Sequence, residues 1–280
     1  MVESMSHSAH AQGSVASLWR YPVKSMMGEE LEETEVTERG LLGDRAYALV
    51  DRADRKVATA KNPRKWPRLF DFRAAYVSPP RVDSELPSVR ITLPNGTVVT
   101  SRESELNRIL SRAADREVTF DRAEPGPGSA TAEAYWPDMA GLDHRDTVTD
   151  FELPQGTFFD CAVVHLLTTA TLDRLRQVYP SGRFEVRRFR PNLVVETANG
   201  AKDFVENAWI GGTLAIGEAV RLSITRACAR CVMTTLPQGG LPKDPTILRT
   251  AVEQNHGHVG IYASVVRGGL VRRGDAVRPE

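Results

Sequence analysis

The chain has 280 residues, 41% hydrophobic and 26% charged, enough apolar side chain to bury a large core and too much for a wholly disordered polymer. Its 36 basic residues balance 36 acidic ones, so no global field draws in nucleic acid or an anionic membrane, and any anion site must be built locally. Three cysteines, Cys161, Cys228 and Cys231, are too few and too odd in number for a disulfide framework and fit free thiols in a reducing compartment.

Residues 1–13, MVESMSHSAHAQG, are small and polar, without the apolar run of a signal peptide or the arginine bias of a transit peptide, and read as a flexible tail. From Ser14 to Val77 short runs such as SVASLWRY, EVTERG, RAYALVD and DFRAAYV, punctuated by Gly, Asp and Pro, predict strands. VRITLPNGTVVTS predicts a hairpin closed by a two-residue Asn95-Gly96 turn whose central positions both need positive φ. A helix is expected over Glu103–Ala114, with Leu106, Ile109 and Leu110 on one face, and a strand follows at REVTFDR. EPGPGSATAEAYWPDMAGLDHRDT has no consistent period and is dense in Gly, Pro and small residues. It is expected to be a loop that separates one domain over 14–130 from a second over 131–280.

Beyond that loop, FFDCAVVHLLTT reads as a buried strand and TATLDRLRQVYP as an amphipathic helix capped by threonine and stopped by Pro180. RPNLVVET, GGTLAIGEAVRLSITRACARCVMTT and GIYASVVRGGLVRRGDAV are β-rich again, with one more helix near Thr246–Gln254. No apolar run approaches the roughly 18 to 20 residues that cross a bilayer, so the expectation is a cytoplasmic protein with no membrane partner. Many short strands and few helices predict an α+β, β-rich chain, an N-terminal β-barrel-like domain followed by a C-terminal β-barrel with peripheral helices.

ACARCVMTT sets Cys228 and Cys231 three residues apart. A closed zinc site needs two more ligands, for which only His256 and His258 stand nearby, and no second cysteine pair exists. A redox dithiol wants its first cysteine at a helix N-terminus, whereas CVMTTLPQGG reads as strand running into a turn. Beside these stand two further readings: small apolar core residues, or a single cysteine acting as nucleophile or metal ligand, with Arg230 beside Cys231 favouring its thiolate. Lys24 and Ser25 in YPVKS, Arg45 in GDRAY, and Arg190 and Asn192 in RFRPNLVV add cations and donors at strand ends. Together they could hold a phosphorylated cofactor, arginine as a bidentate fork and lysine as a point charge. Singly, each is better read as an exposed surface charge.

Taken in order, YPVKS, GLLGDRAY, TAKNPRKWPRL, FRPNLVV, RCVMTT and GIYASVV with the later GDAV resemble the MOSC family, named for the molybdenum cofactor sulfurase C-terminal domain. The chain is similar, over about residues 14 to 278, to a MOSC N-terminal β-barrel domain followed by a MOSC domain, as in the amidoxime-reducing component and its bacterial relatives. The resemblance implies a molybdenum-molybdopterin cofactor whose metal is held by Cys231. It implies that Lys24, Ser25 and Arg45 bind the cofactor's phosphate or pterin from the first domain, that Arg190, Asn192 and Arg230 do so from the second, and that Tyr262 lies close. Thr168 and Thr169, opening a helix, would add hydroxyl and amide donors for the phosphate. The family's serine before Arg-Cys is Ala229 here, so one hydroxyl contact is missing.

The implied reaction is two-electron removal of oxygen from N-hydroxylated substrates such as amidoximes, hydroxylamines or N-oxides. Electrons would come from a separate protein of flavin, ferredoxin or cytochrome type, because the chain shows neither an iron–sulfur cysteine set nor a nucleotide-binding glycine fingerprint. Two other uses of the same pocket follow from the family: a sulfur carrier with a persulfide on Cys231, or a molybdopterin carrier or storage protein. On any of these readings Cys228 is a packed neighbour whose replacement by alanine should leave cofactor binding intact.

Overall fold

The computed structural model describes residues 13–124, 129–142, 144–200 and 202–280; the expected tail, but for Gly13, lies outside the described residues. The first half of the chain forms β1 (Gly13–Arg20), β2 (Glu29–Leu31), β3 (Glu33–Thr37), β4 (Gly40–Leu41), β5 (Tyr47–Asp51), β6 (Arg73–Tyr76), β7 (Val89–Thr92), β8 (Val98–Thr100), α1 (Leu106–Ala114) and β9 (Val118–Arg122). The second half forms β10 (Thr131–Trp136), β11 (Thr147–Glu152), β12 (Val164–Thr168), α2 (Thr169–Val178), α3 (Val186–Phe189), β13 (Leu193–Thr197) and β14 (Thr213–Ile216). It ends with β15 (Val220–Ala229), α4 (Thr246–Asn255), β16 (His258–Arg267), β17 (Gly269–Arg272) and β18 (Ala276–Pro279).

Seven strands close into a barrel in the order β13-β12-β16-β15-β14-β18-β1, with β1 pairing back to β13 and β2 appended to β1. Closure removes the free edges that a strand-rich chain must otherwise protect. The pairs Leu214 with Leu222, Ile224 with Ala263, and Leu166 with both Ile261 and Leu193 sit in register and point inward, which is why alternate apolar residues of these strands are buried. Each such leucine or isoleucine contributes about 1.5 to 3 kcal/mol on leaving water. β12 and β13 are parallel, joined by a crossover through α2 and α3, while the other barrel pairs are antiparallel. In β16, Gly260 has φ +81 and a Cβ there would lie 2.5 Å from the Leu166 carbonyl oxygen, so only glycine lets β16 approach β12 so closely.

The barrel takes β1 from the start of the chain, so the N-terminal part is not confined to one unit. A register shift between Val15 and Ser17 resets the alternation and turns both Val15 and Leu18 inward. Of the remaining N-terminal strands, β3 and β4 pair with β17 beside the barrel, while β5–β9 and β6–β7–β8 pack with α1 around Val23, Met26, Leu49, Phe72, Val89, Ile91 and Leu110. Among the described residues no helix is long and apolar enough to cross a membrane.

Three local expectations change. The hairpin between β7 and β8 is closed by three residues, Pro94, Asn95 and Gly96: Gly96 N–H donates to the Leu93 carbonyl, Leu93 N–H to Thr97, and only Gly96 of the three has positive φ. Pro94 fixes the first turn position, which selects a turn followed by a glycine bulge over the two-residue form. The stretch expected to be a loop carries β10, paired with β11 from Thr131 opposite Glu152 to Trp136 opposite Thr147. Its buried face is built from Ala132 and Ala134, too small to show as an apolar period. Finally, β15 stops at Ala229, and Val232–Thr235 forms a 3-10 turn where a strand was expected.

Candidate functional site

A cleft of about 810 Å³ lies where the barrel meets the N-terminal unit. Lys24, Ser25, Arg45, Arg190, Asn192, Arg230, Cys231 and Tyr262, chosen from segments far apart in sequence, all line it. Its charged lining comprises six cations, Lys24, Arg45, Lys61, Arg190, Arg226 and Arg230, against the carboxylates of Glu152 and Asp160. A chain of zero net charge has thus concentrated positive charge at one place.

The backbone there is held in unusual conformations. Ser25 (φ +61), Arg45 (φ +46), Arg190 (φ +54) and His256 (φ +51) are left-handed, although none is glycine, and all four line the cleft. Each such residue costs about 1 to 3 kcal/mol and persists only where its surroundings fix it. Those surroundings are visible. Ser25 Oγ accepts from Ala60 N–H at 3.1 Å. The buried Asp44 carboxylate accepts from Tyr21 N–H at 2.7 Å, from Asn192 Nδ2 at 2.9 Å and from the Arg45 guanidinium. Arg45 also lies 4.7 Å from the Tyr21 ring and 5.7 Å from that of Phe159. Arg190 donates to the Met26 carbonyl at 2.7 Å and stacks 4.1 Å from the same Tyr21 ring. Burial pushes the Tyr21 phenol up to about 12 and lowers the Arg190 guanidinium to about 10.

Asn192 is fully engaged. It donates to Asp44 and to the Trp19 carbonyl at 3.3 Å, and its Oδ1 accepts from His165 N–H at 3.1 Å. Its work is to tie β1, the Asp44 loop and β12 together beneath the cleft. Lys24 Nζ donates to Asp160 Oδ1 at 2.5 Å and to the Phe158 carbonyl at 2.7 Å, while Lys61 Nζ sits 3.1 Å from Asp160 Oδ2. Burial would raise the Asp160 carboxyl, but the two lysines outweigh it and hold it below the usual carboxylate range. Burial also lowers the Lys24 ammonium against the pull of Asp160. Lys61 responds the other way: burial opposes its charge, but Asp160 and the nearby sulfurs of Cys231 and Cys161 keep it above its ordinary value.

Cys231 follows the end of β15 at a corner fixed on both sides: Arg230 N–H donates to the Gly257 carbonyl at 2.8 Å, and Thr234 Oγ1 donates to the Cys231 carbonyl at 3.0 Å. The thiol is partly buried against the N-terminal core. Arg230 donates through Nη2 to the Phe189 carbonyl at 2.9 Å and through Nη1 to the Cys228 sulfur at 2.7 Å, and its buried Nε has no hydrogen-bond partner. Tyr262 stands opposite Arg226 on β15 and His165 on β12, and burial, then the Cys228 sulfur, raises its phenol well above the ordinary value. Burial, reinforced by Arg230, drops His165 to about 3, so its imidazole is neutral at neutral pH.

Thr168 and Thr169 do not line the cleft. Thr168 is fully buried; its hydroxyl accepts from Thr171 N–H at 3.2 Å, capping α2, and donates to Glu206 at 2.6 Å. Thr171 donates to the same carboxylate at 2.7 Å, so the N-terminus of α2 faces the protein's own anion. Burial raises the Glu206 carboxyl against the pull of these hydroxyls.

Residues not singled out from the sequence also enter. Lys61 stood inside TAKNPRKWPRL, Arg226 just ahead of ACARC, and Asp160 and Cys161 within FFDC; a lone residue of each type gives no signal until folding brings them together. Among the described residues no group of three or more His, Cys, Asp or Glu side chains is placed to hold a metal, which removes the zinc reading of Cys228 and Cys231 with His256 and His258.

Comparison with known proteins covers nearly the whole chain. A profile of the MOSC N-terminal beta barrel domain matches residues 12–123, and one of the MOSC domain matches residues 154–278. The mitochondrial amidoxime reducing component 2 of Rattus norvegicus is 26% identical over 298 aligned positions, covering 95% of this chain and 82% of that protein. Its Homo sapiens counterpart is 27% identical, covering 95% and 83%. Among solved structures, the YUAD protein from Bacillus subtilis aligns at 12% identity and a TM-score of 0.48, covering 95% of this chain and 94% of that one.

Proposed function

Since the chain belongs to the MOSC family, with a MOSC N-terminal β-barrel domain ahead of its MOSC domain, we propose that it is a molybdenum-cofactor-dependent reductase of N-hydroxylated substrates. The observation that carries this reading is Cys231, a partly buried thiol on the wall of a cleft lined by six cations. The names of the relatives, amidoxime reducing components, supply the substrate class.

The residues present fit the cofactor. A thiolate is a soft, strongly donating ligand suited to a redox metal. The cationic lining suits a phosphorylated pterin, and the orphaned Nε of Arg230 is a buried donor that an anionic or carbonyl group in the cleft would satisfy. Cys231 would hold the metal; Lys24, Ser25, Arg45 and Arg230 would hold the phosphate and pterin. Asn192 would contribute chiefly by fixing the cleft, since its amide is used on Asp44, Trp19 and His165; Arg190, with one guanidinium nitrogen on the Met26 carbonyl, would add its charge to the same group. Thr168 and Thr169 have no part in this reading.

When bound, such a cofactor supplies a two-electron redox centre able to accept the oxygen of an N–O bond. For an N–OH substrate the balance is two electrons and two protons in, an N–H and one water out. The electrons come from a separate flavin, ferredoxin or cytochrome type protein. This chain's residues supply orientation, fixed charge and hydrogen-bond donors. Arg230 is clamped at Phe189 and Cys228, and its positive charge interacts with the Cys228 sulfur first and with that of Cys231 as well. Tyr262 keeps its proton on Oη at neutral pH and can donate it as a hydrogen bond. Neutral His165 anchors its ring to the Val259 carbonyl at 3.1 Å. All three cysteines are free, which supports a reducing compartment, and we place the protein in the cytoplasm.

The test is turnover: protein purified from a molybdenum-replete host should convert benzamidoxime to benzamidine with a chemical reductant. Molybdenum-loaded protein that leaves benzamidoxime unchanged would overturn the reading.

A further inference from the structure

One wall of the cleft has no cation. On the β10–β11 hairpin, the pairs Ala132 with Phe151, Ala134 with Thr149, and Trp136 with Thr147 share a face, since directly paired residues point to the same side of a sheet. Four of these residues, Ala134, Trp136, Thr149 and Phe151, line the cleft. The opposite face is pinned to the N-terminal unit. The paired Glu133 and Asp150 grip one ammonium, Lys56 Nζ, at 2.9 and 2.7 Å, and Asn62 Nδ2 donates to Glu133 at 3.0 Å. Arg64 lies 4.0 Å from the Tyr135 ring and donates to its hydroxyl at 3.0 Å.

The indole is fixed as well. Trp136 Nε1 donates to Thr149 Oγ1 at 2.8 Å, and its ring meets the His144 ring edge-on at 5.1 Å. With its only donor satisfied inside the hairpin, Trp136 offers a ligand apolar ring surface and no hydrogen bond. Phe151 joins this wall to the charged part of the cleft, because Lys61 Nζ lies 4.5 Å from its ring. The hairpin falls between the matched stretches 12–123 and 154–278, so neither domain profile covers it.

We infer that the hairpin wall is the subsite for a flat aromatic body of the substrate, with Trp136 the residue that selects N-hydroxylated arenes over small N-hydroxylated alkanes. This rests on the reading of function above. A ring laid on Trp136 is held by stacking and apolar burial that a methyl group cannot match.

The experiment pairs two substrates and one non-substrate. In molybdenum-loaded protein, Trp136→Ala should raise KM for benzamidoxime about tenfold with kcat little changed, and leave KM for N-methylhydroxylamine unmoved. Trp136→Phe, which restores a ring, should return KM for benzamidoxime to near the wild-type value. Benzamide, a neutral arene without an N–O bond, should bind wild-type protein and lose about the same factor of affinity in Trp136→Ala, read by ligand-observed NMR. Equal changes of KM for both substrates, or benzamide binding that Trp136→Ala leaves unmoved, would overturn the inference. Should the wild type turn over neither substrate, the functional reading falls and benzamide binding alone decides the subsite.

Discussion

Arg230 donates through Nη1 to the sulfur of Cys228 at 2.7 Å, and this contact gives the two cysteines of ACARC different tasks. Cys228, fully buried, orients the arginine; Cys231, one turn of chain later and partly buried, is left facing the cleft.

Replacing Cys228 by alanine removes that acceptor and leaves a small void. The expected loss is about 1 to 2 kcal/mol, or roughly 2 to 6 °C in Tm. Cofactor content should stay near wild type, because Nη2 keeps its bond to the Phe189 carbonyl. Thermal denaturation and metal analysis of Cys228→Ala check both halves.

Arg188 is the second fixed point behind Cys231. Fully buried, it donates to the carbonyls of Arg183 at 2.8 Å, Thr234 at 3.1 Å, Leu236 at 3.3 Å and Pro242 at 2.9 Å, binding the turn after Cys231 to α3 and the loop beyond. Arg188→Leu strands these acceptors and should cost about 3 to 5 kcal/mol. Arg188→Lys keeps the charge but not the fork, so it should keep the fold while loosening the turn. Peptide mapping after iodoacetamide should show Cys231 alkylated faster in Arg188→Lys than in wild type, with Cys161 unchanged. Equal rates at Cys231 would contradict a positioning role.

Asp160 makes stability depend on pH on the acid side. Its folded carboxyl titrates below the ordinary 3.8 because Lys24 and Lys61 offset the cost of burial. The folded state therefore binds fewer protons than the unfolded one in that window, and stability falls as pH drops from about 4 through the folded value. Asp160→Asn removes this term and leaves two lysines without their shared counter-charge. Wild type should exceed the variant in Tm at neutral pH, and the gap should narrow as the pH is lowered from about 5 to 2.5. A gap that holds constant with pH would contradict the ion-pair account.

Much of the barrel was legible because its strands are β-branched runs with alternate apolar residues, as in β14, β15 and β16. β10 was not, since Ala132 and Ala134 bury a face without apolar bulk. The candidate site was legible as a set of cations near turns, but not as a geometry. Nothing in the residues near Thr168 announces that Glu206, far along the chain, fills the N-terminus of α2. Nor does the sequence show Asp160 bridging Lys24 and Lys61, since each alone looks like a surface charge. The left-handed backbone at Ser25, Arg45 and Arg190 is equally silent, because positive φ is written by glycine or asparagine far more often than by serine or arginine.

Molybdenum and pterin content of wild type and Cys231→Ser, both purified from a molybdenum-replete host, decides whether Cys231 holds the metal. Wild type should carry about one molybdenum and one pterin per chain, and Cys231→Ser should lose the molybdenum while still unfolding in one cooperative transition. A wild type free of molybdenum and pterin, or a Cys231→Ser variant as rich in molybdenum as wild type, would contradict it.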